Sequence, residues 1–160
     1  MTSVMAEKSK ERWQHGAAVA GVLEPGEQVR AAATGTKAGS IWVLLLSPFD
    51  AFEGPLAMIG DAVTGAVYGA LELGRVYLVT DRNVYVGRLS SWNVHMAQNT
   101  IVEHVDEVLD KRPLDEAVVT YKTGFMRRRL RLNDGNPMAV GMFGPGKRWA
   151  KEVVAAVEAR

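Results

Sequence analysis

Arg75-Val-Tyr-Leu-Val-Thr-Asp-Arg-Asn-Val-Tyr-Val-Gly-Arg88 is the stretch on which the fold turns. Valine and tyrosine, which suit a pleated and half-buried backbone, fill both sides of Asp81-Arg82-Asn83, a run of turn formers. The pattern predicts two strands, Arg75 to Thr80 and Val84 to Arg88, joined by a tight turn. Upstream, Glu24-Pro25-Gly26-Glu27 has turn composition, and Gln28 to Thr34 alternates Val29, Ala31 and Ala33 with Gln28, Arg30 and Ala32, predicting a first strand. Downstream, Ala117 to Lys122, Arg127 to Leu132 and Met138 to Phe143 are three β-like runs, separated by Thr123-Gly124 and Asn133-Asp134-Gly135-Asn136-Pro137. Gly144-Pro145-Gly146 ends the sheet. Lys147 to Ala159 reads as a helix with Trp149, Val153, Ala156 and Val157 on one stripe.

Two segments flank this β pattern. Residues 1–23 suggest an N-terminal helix, with Trp13, Ala17 and Ala20 on its apolar side and Gly16 and Gly21 weakening it. Residues 35–74 form an apolar insert whose only charges are Lys37, Asp50, Glu53, Asp61 and Glu72. Its second half, from Pro55 to Leu73, suits a helix started by proline. Ile101 to Lys111 fits a short helix through Val102, Val105 and Leu109 and equally an edge strand, and both readings stay open.

With 160 residues the chain is long enough for one core, and a single domain over 1–160 is expected. Its 19 Lys and Arg nearly balance 18 Asp and Glu, so no global field draws it to nucleic acid or membrane and nucleic acid is not expected as a partner; electrostatic function must be local. The absence of cysteine excludes disulfides, thiolate metal sites and cysteine nucleophiles within these residues, and it fits a reducing cytoplasm. The longest strongly apolar run, Ile41 to Phe49, is far short of the roughly 20 residues of a spanning helix, so no transmembrane helix is expected.

The order of these elements, and above all Leu78-Val-Thr-Asp-Arg-Asn-Val-Tyr-Val86, resembles bacterial pleckstrin-homology-like domains. The resemblance covers Glu24 to Thr34 and Arg75 to Arg160. It implies an α+β fold: a strongly bent antiparallel sheet or half-open barrel of seven strands, capped by the C-terminal helix with Trp149 as the stopper. Domains of this kind bind phosphoinositides, peptides or proteins, or assemble with themselves, and are not generally enzymes. The basic pattern by which eukaryotic members bind phosphate is not matched here, because Lys37 stands nearly alone where the apolar insert begins.

Several residue groups are candidate sites. Arg127, Arg129 and Arg131 share one strand face, with Lys122 on the neighbouring strand, and three guanidiniums on one face suit phosphate, a lipid headgroup or an acidic partner. The alternative is a solvated face or an edge protected by its charge. Trp42, Leu44, Leu45, Leu46, Phe49 and Phe52 are too apolar to stand exposed in a soluble monomer. Contact with a second copy or another protein, internal packing and insertion into a membrane interface would each cover them. Acidic Asp50, Glu53, Asp61 and Glu72 disfavour an anionic leaflet.

Gly141 to Lys147 has P-loop spacing, but Arg148 stands where magnesium would need Ser or Thr, and Pro145 lacks an N–H. A glycine-proline break before the last helix is the simpler reading. His15, His95 and His104 make no metal-binding spacing, and no cofactor or metal is expected. The sequence thus predicts a non-enzymatic binding or assembly module in the cytoplasm, with a peripheral membrane and lipid-binding module as the alternative.

Overall fold

The computed structural model describes residues 21–38, 74–89, 105–124, 127–140 and 146–160. Seven strands and one helix follow in chain order: β1 (Val29–Lys37), β2 (Gly74–Thr80), β3 (Asn83–Leu89), β4 (Val105–Pro113), β5 (Val119–Gly124), β6 (Arg127–Leu132), β7 (Gly135–Ala139) and α1 (Gly146–Glu158). The expected N-terminal helix over residues 1–23 and the helical half of the insert lie outside the described residues, save for 21–23, 35–38 and 74.

All strand pairs are antiparallel, in the order β4-β3-β2-β1-β7-β6-β5. The sheet is not closed into a barrel: β4 and β5 are its two edges. Its centre is narrow, because β1 meets β7 only at Thr36 with Ala139 and Lys37 with Met138. Gly35 permits this approach, since a Cβ there would stand 2.2 Å from the Ala139 carbonyl oxygen.

Period-two alternation sends Ala31, Ala33, Tyr77, Val79, Val84 and Val86 to one face, where they share a core with Val119, Leu130, Leu132 and Met138 from the other end of the strand order. Helix α1 closes this core. Ala150, Val153 and Val157 are buried in it, Trp149 and Ala156 are partly buried against it, and the helix packs on β1, β2 and β5. The expected stripe is thereby recovered, with Trp149 at the margin of the core. Val76, Leu78, Tyr85 and Leu89 on the opposite face form a second buried cluster with Val29 and Val105. No helix of the described residues is long and apolar enough to cross a membrane.

Two elements depart from the simple sequence pattern. Of Ile101 to Lys111, open between helix and strand, the described part from Val105 onward belongs to edge strand β4 (Val105–Pro113), whose pairing with β3 shifts register between Val86 and Gly87 and again between Arg88 and Leu89. These irregularities break the period-two signature that marks a strand. β7 begins at Gly135, earlier than the predicted Met138, because Asn133 takes the left-handed conformation (φ 47°) and the turn needs only Asn133-Asp134. Pro137, which has no N–H to give a ladder, lies where β7 has no pairing to β1, and its carbonyl accepts from Ala38 N–H at 3.1 Å.

A buried carboxylate joins the first strand to the β2–β3 hairpin. Pro25 and Gly26 (φ 77°) make a turn closed by Glu27 N–H donating to Glu24 O at 3.0 Å, and only a residue free of a Cβ takes that φ without strain. The turn delivers Glu27, 1% exposed, between the strands. One carboxylate oxygen accepts from the Thr80 hydroxyl and from Asn83 Nδ2 (2.8 Å); the other accepts from Tyr85 OH (2.7 Å) and Glu24 N–H (2.8 Å). Burial pushes the Glu27 carboxyl up, but the donors of Thr80, Tyr85, Asn83 and Glu24 together outweigh it and hold it below its ordinary value of 4.5.

Around this group Gln28 N–H donates to Asp81 Oδ1 at 2.8 Å, Asp81 N–H to Gln28 O at 3.0 Å, and Arg82 Nη1 to Pro25 O at 3.3 Å. Lys111 of β4 pairs with Glu24 and lies 5.5 Å from the centre of the Tyr85 ring. Pro25-Gly26-Glu27 and Thr80-Asp81-Arg82-Asn83, far apart in the chain, are thus bonded to one another.

Replacing Glu27 by Gln turns an acceptor into a donor facing the Tyr85 hydroxyl and the Glu24 N–H. Glu27→Gln is expected to lower stability by about 2 kcal/mol at neutral pH. The folded pKa lies below the unfolded one, so the carboxylate's contribution is complete above the unfolded value of 4.5 and is lost as pH falls through the folded value. The gap in urea midpoint between the two proteins should narrow as pH is lowered from neutral through 4.5 and below. A gap that stays constant would show that the charge of Glu27 contributes nothing.

Candidate functional site

From Ala117 to Leu132 the chain contains no acidic residue and carries Lys122, Arg127, Arg128, Arg129 and Arg131. Leu130 and Leu132 are fully buried. Alternation therefore turns Arg129 and Arg131 to the outer face of β6 and sets Arg127 in the same phase. Arg128 falls in the phase of the buried leucines. Arg131 is exposed and Arg129 half-buried.

Register completes the arrangement. Lys122 of β5 stands directly across from Arg129, Thr120 from Arg131 and Gly124 from Arg127. Arg129 in turn faces Ala139, which faces Thr36. One row, Thr36, Ala139, Arg129 and Lys122, thus crosses four strands, with small residues on one side of the two cations. Neighbours in such a row have Cβ atoms about 5 Å apart, and Arg129 and Arg131 are separated by about 7 Å along the strand.

Like charges directly opposite on paired strands repel. Among the described residues, ion pairs engage Arg88 with Glu107, Lys111 with Glu24, Arg112 with Asp110 and Arg148 with Glu152, and none brings a carboxylate to Lys122, Arg129 or Arg131. A lysine on the exposed edge strand has an ordinary explanation, protection against edge-to-edge aggregation. That explanation does not extend to Arg129 and Arg131, because β6 is paired on both sides. The arrangement is a shallow cationic platform suited to binding negative charge by several guanidinium and ammonium donors at once.

The other candidates fare differently. Trp42, Leu44, Leu45, Leu46, Phe49 and Phe52 lie outside the described residues, as do His15, His95 and His104 and most of the Gly141 to Lys147 loop. Helix α1 begins at Gly146. An open depression of about 410 Å³ lies between Arg30, Asp81, Arg82, Leu114, Asp115 and Arg160. It mixes both signs of charge, and Arg160 Nη1 within it lies 2.8–2.9 Å from the carbonyl oxygens of Leu114, Asp115 and Ala117. No group of three or more His, Asp or Glu suited to a metal ion occurs among the described residues.

Sequence reasoning singled out Arg127, Arg129 and Arg131 and did not single out the Glu27 cluster. The available signal was a glutamate directly after Pro-Gly, together with Thr80, Asn83 and Tyr85, whose donor groups fall close together on one hairpin.

If Lys122 and Arg129 repel in the absence of a ligand, Lys122→Glu should stabilise the protein by about 0.5 kcal/mol, by exchanging a like-charge for an opposite-charge pair. The gain should shrink in high salt. Thermal melts at two ionic strengths check this, and a loss of stability would mean that the two side chains do not face each other in solution. No family model, curated protein or solved structure matches the chain, so the chemistry of this face is read from its own residues.

Proposed function

We propose that this chain is a non-catalytic binding and assembly module with a pleckstrin-homology-like core, whose outer β5–β6 face receives an anionic partner through Lys122, Arg129 and Arg131. The open seven-stranded antiparallel sheet and the C-terminal helix packed on it support the choice of core. The observation that carries the binding reading is the cross-strand pair of cations, Lys122 and Arg129, with Arg131 beside them and no carboxylate brought to them among the described residues. A repulsive pair held on a regular ladder costs stability, and an anion that neutralises it recovers that cost on binding.

The described groups with shifted acid strength support a structural rather than catalytic use. Glu27 is saturated by four donors and sealed from solvent. The Gln28 N–H holds the Asp81 carboxyl below its usual range. Burial pushes the Tyr77 hydroxyl up to about 12, while the Leu132 backbone works in the opposite direction. None of these groups is poised to exchange protons with a substrate near neutral pH. The assembly half of the reading rests on the apolar side chains of Trp42, Leu44, Leu45, Leu46, Phe49 and Phe52, which suit contact with a second copy or another protein.

Retention on heparin, a simple polyanion, tests the face. The wild-type chain should bind at about 50 mM salt and release as salt screens the contact. The Arg129→Ala/Arg131→Ala double variant should bind at least about tenfold more weakly, since each lost charge-assisted contact is worth about 1.5 kcal/mol or more. Equal retention of the two proteins would overturn the reading.

A further inference from the structure

The two edges of the sheet are built differently. β4 is charged through much of its length, at Asp106, Glu107, Asp110, Lys111 and Arg112, and two register shifts disrupt its ladder. Charge and irregular pairing are devices that discourage another strand from adding. β5 has neither to the same degree. Its pairing with β6 runs unbroken from Val119 to Gly124, and Lys122 is its only charged residue. Thr120, Lys122 and Thr123 are exposed, and among the described residues no strand pairs with β5 on its other side. Among the described residues, a regular strand of six residues therefore has no strand along its outer edge, directly beside the cationic row.

Resting on the binding role of the β5–β6 face, we infer that its partner is an extended acidic polypeptide segment that adds to β5 as an eighth strand. The complementarity is geometric as well as electrostatic. An added strand continues the rows already present, so a residue placed across from Lys122 extends the line of Thr36, Ala139, Arg129 and Lys122. Side chains of a strand return to the same face every second residue, about 7 Å apart, which is also the repeat of Arg129 and Arg131. Acidic residues at alternate positions then lie about 5 Å from Lys122 and about 10 Å, two strand spacings, from the row of Arg129 and Arg131, within reach of their long side chains, while the backbone of the segment pairs with the edge. A compact anion such as a single phosphate uses only the charges of this shallow face and none of the edge.

The experiment uses the full chain and a synthetic peptide of about eight residues alternating Glu with Thr, long enough to span the edge. Two further versions carry N-methyl groups on alternate amides, one in each phase. Only alternate amides of a strand face a given neighbour, so methylation in one phase should weaken binding at least about tenfold and in the other leave it nearly intact. Amides of β5 that point away from β6 should gain protection from hydrogen exchange when the peptide binds, and Lys122→Glu should abolish binding.

Equal binding of both methylated peptides would retain the anionic face and overturn strand addition. Failure of every peptide, with heparin still retained through Arg129 and Arg131, would assign the face to a different polyanion and overturn this inference alone. Failure of peptide and heparin alike would remove both readings.

Discussion

Everything in the first half of the sheet depends on one carboxylate. Glu27 is buried, charged and bonded to four donors, which come from its own turn (Glu24), from the end of β2 (Thr80) and from β3 (Asn83 and Tyr85). A buried charge is tolerable only when its hydrogen-bonding capacity is met, so the group fixes all of its donors at once. The β2–β3 turn is held from outside as well as from within: Thr80 Oγ accepts the N–H groups of Arg82 and Asn83, and Asp81 and Gln28 exchange two further bonds. Turn, hairpin and first strand are therefore one polar assembly, with apolar cores on either face of the sheet.

The hairpin and the closing helix were legible because their signals are local. Val, Tyr and Leu at period two around Asp81-Arg82 specify two paired strands, and Trp149, Val153, Ala156 and Val157 at helical spacing specify one covered face. β4 was not legible, since residues added at its register shifts restore a spacing that a helix also satisfies. The start of β7 was hidden by a residue that pattern reasoning treats as a strand breaker. Pro137 is tolerated there because it lacks only an N–H, and its carbonyl still accepts from Ala38 N–H.

Of the cationic face, the sequence specifies that Arg127, Arg129 and Arg131 share a phase, which follows from alternation alone. It does not specify that Lys122 meets Arg129 instead of Arg127 or Arg131. That depends on the register of β5 against β6, and a shift of two residues would leave every side chain on its present face while changing its opposite number. Glu27 was missed for a related reason. A glutamate beside Pro-Gly reads as a solvated turn residue, and its burial appears only once Thr80, Asn83 and Tyr85 are brought to it from more than 50 residues away.

The narrow contact between β1 and β7 has a consequence for how the chain folds. β1, β2, β3 and β4 form one leaf and β5, β6 and β7 another, each made largely by neighbours in the strand order, while the seam between the leaves joins Thr36 to Ala139 and Lys37 to Met138. Closing a loop on the order of 100 residues for two residue pairs is entropically costly, whereas the β5–β6 and β6–β7 hairpins close over short turns. The leaves can assemble separately, with the seam forming once helix α1, which touches β1, β2 and β5, supplies enough apolar contact to draw them together. The last segment of the described chain thus bridges the two leaves, with Ala150, Val153 and Val157 buried in the core that both leaves share.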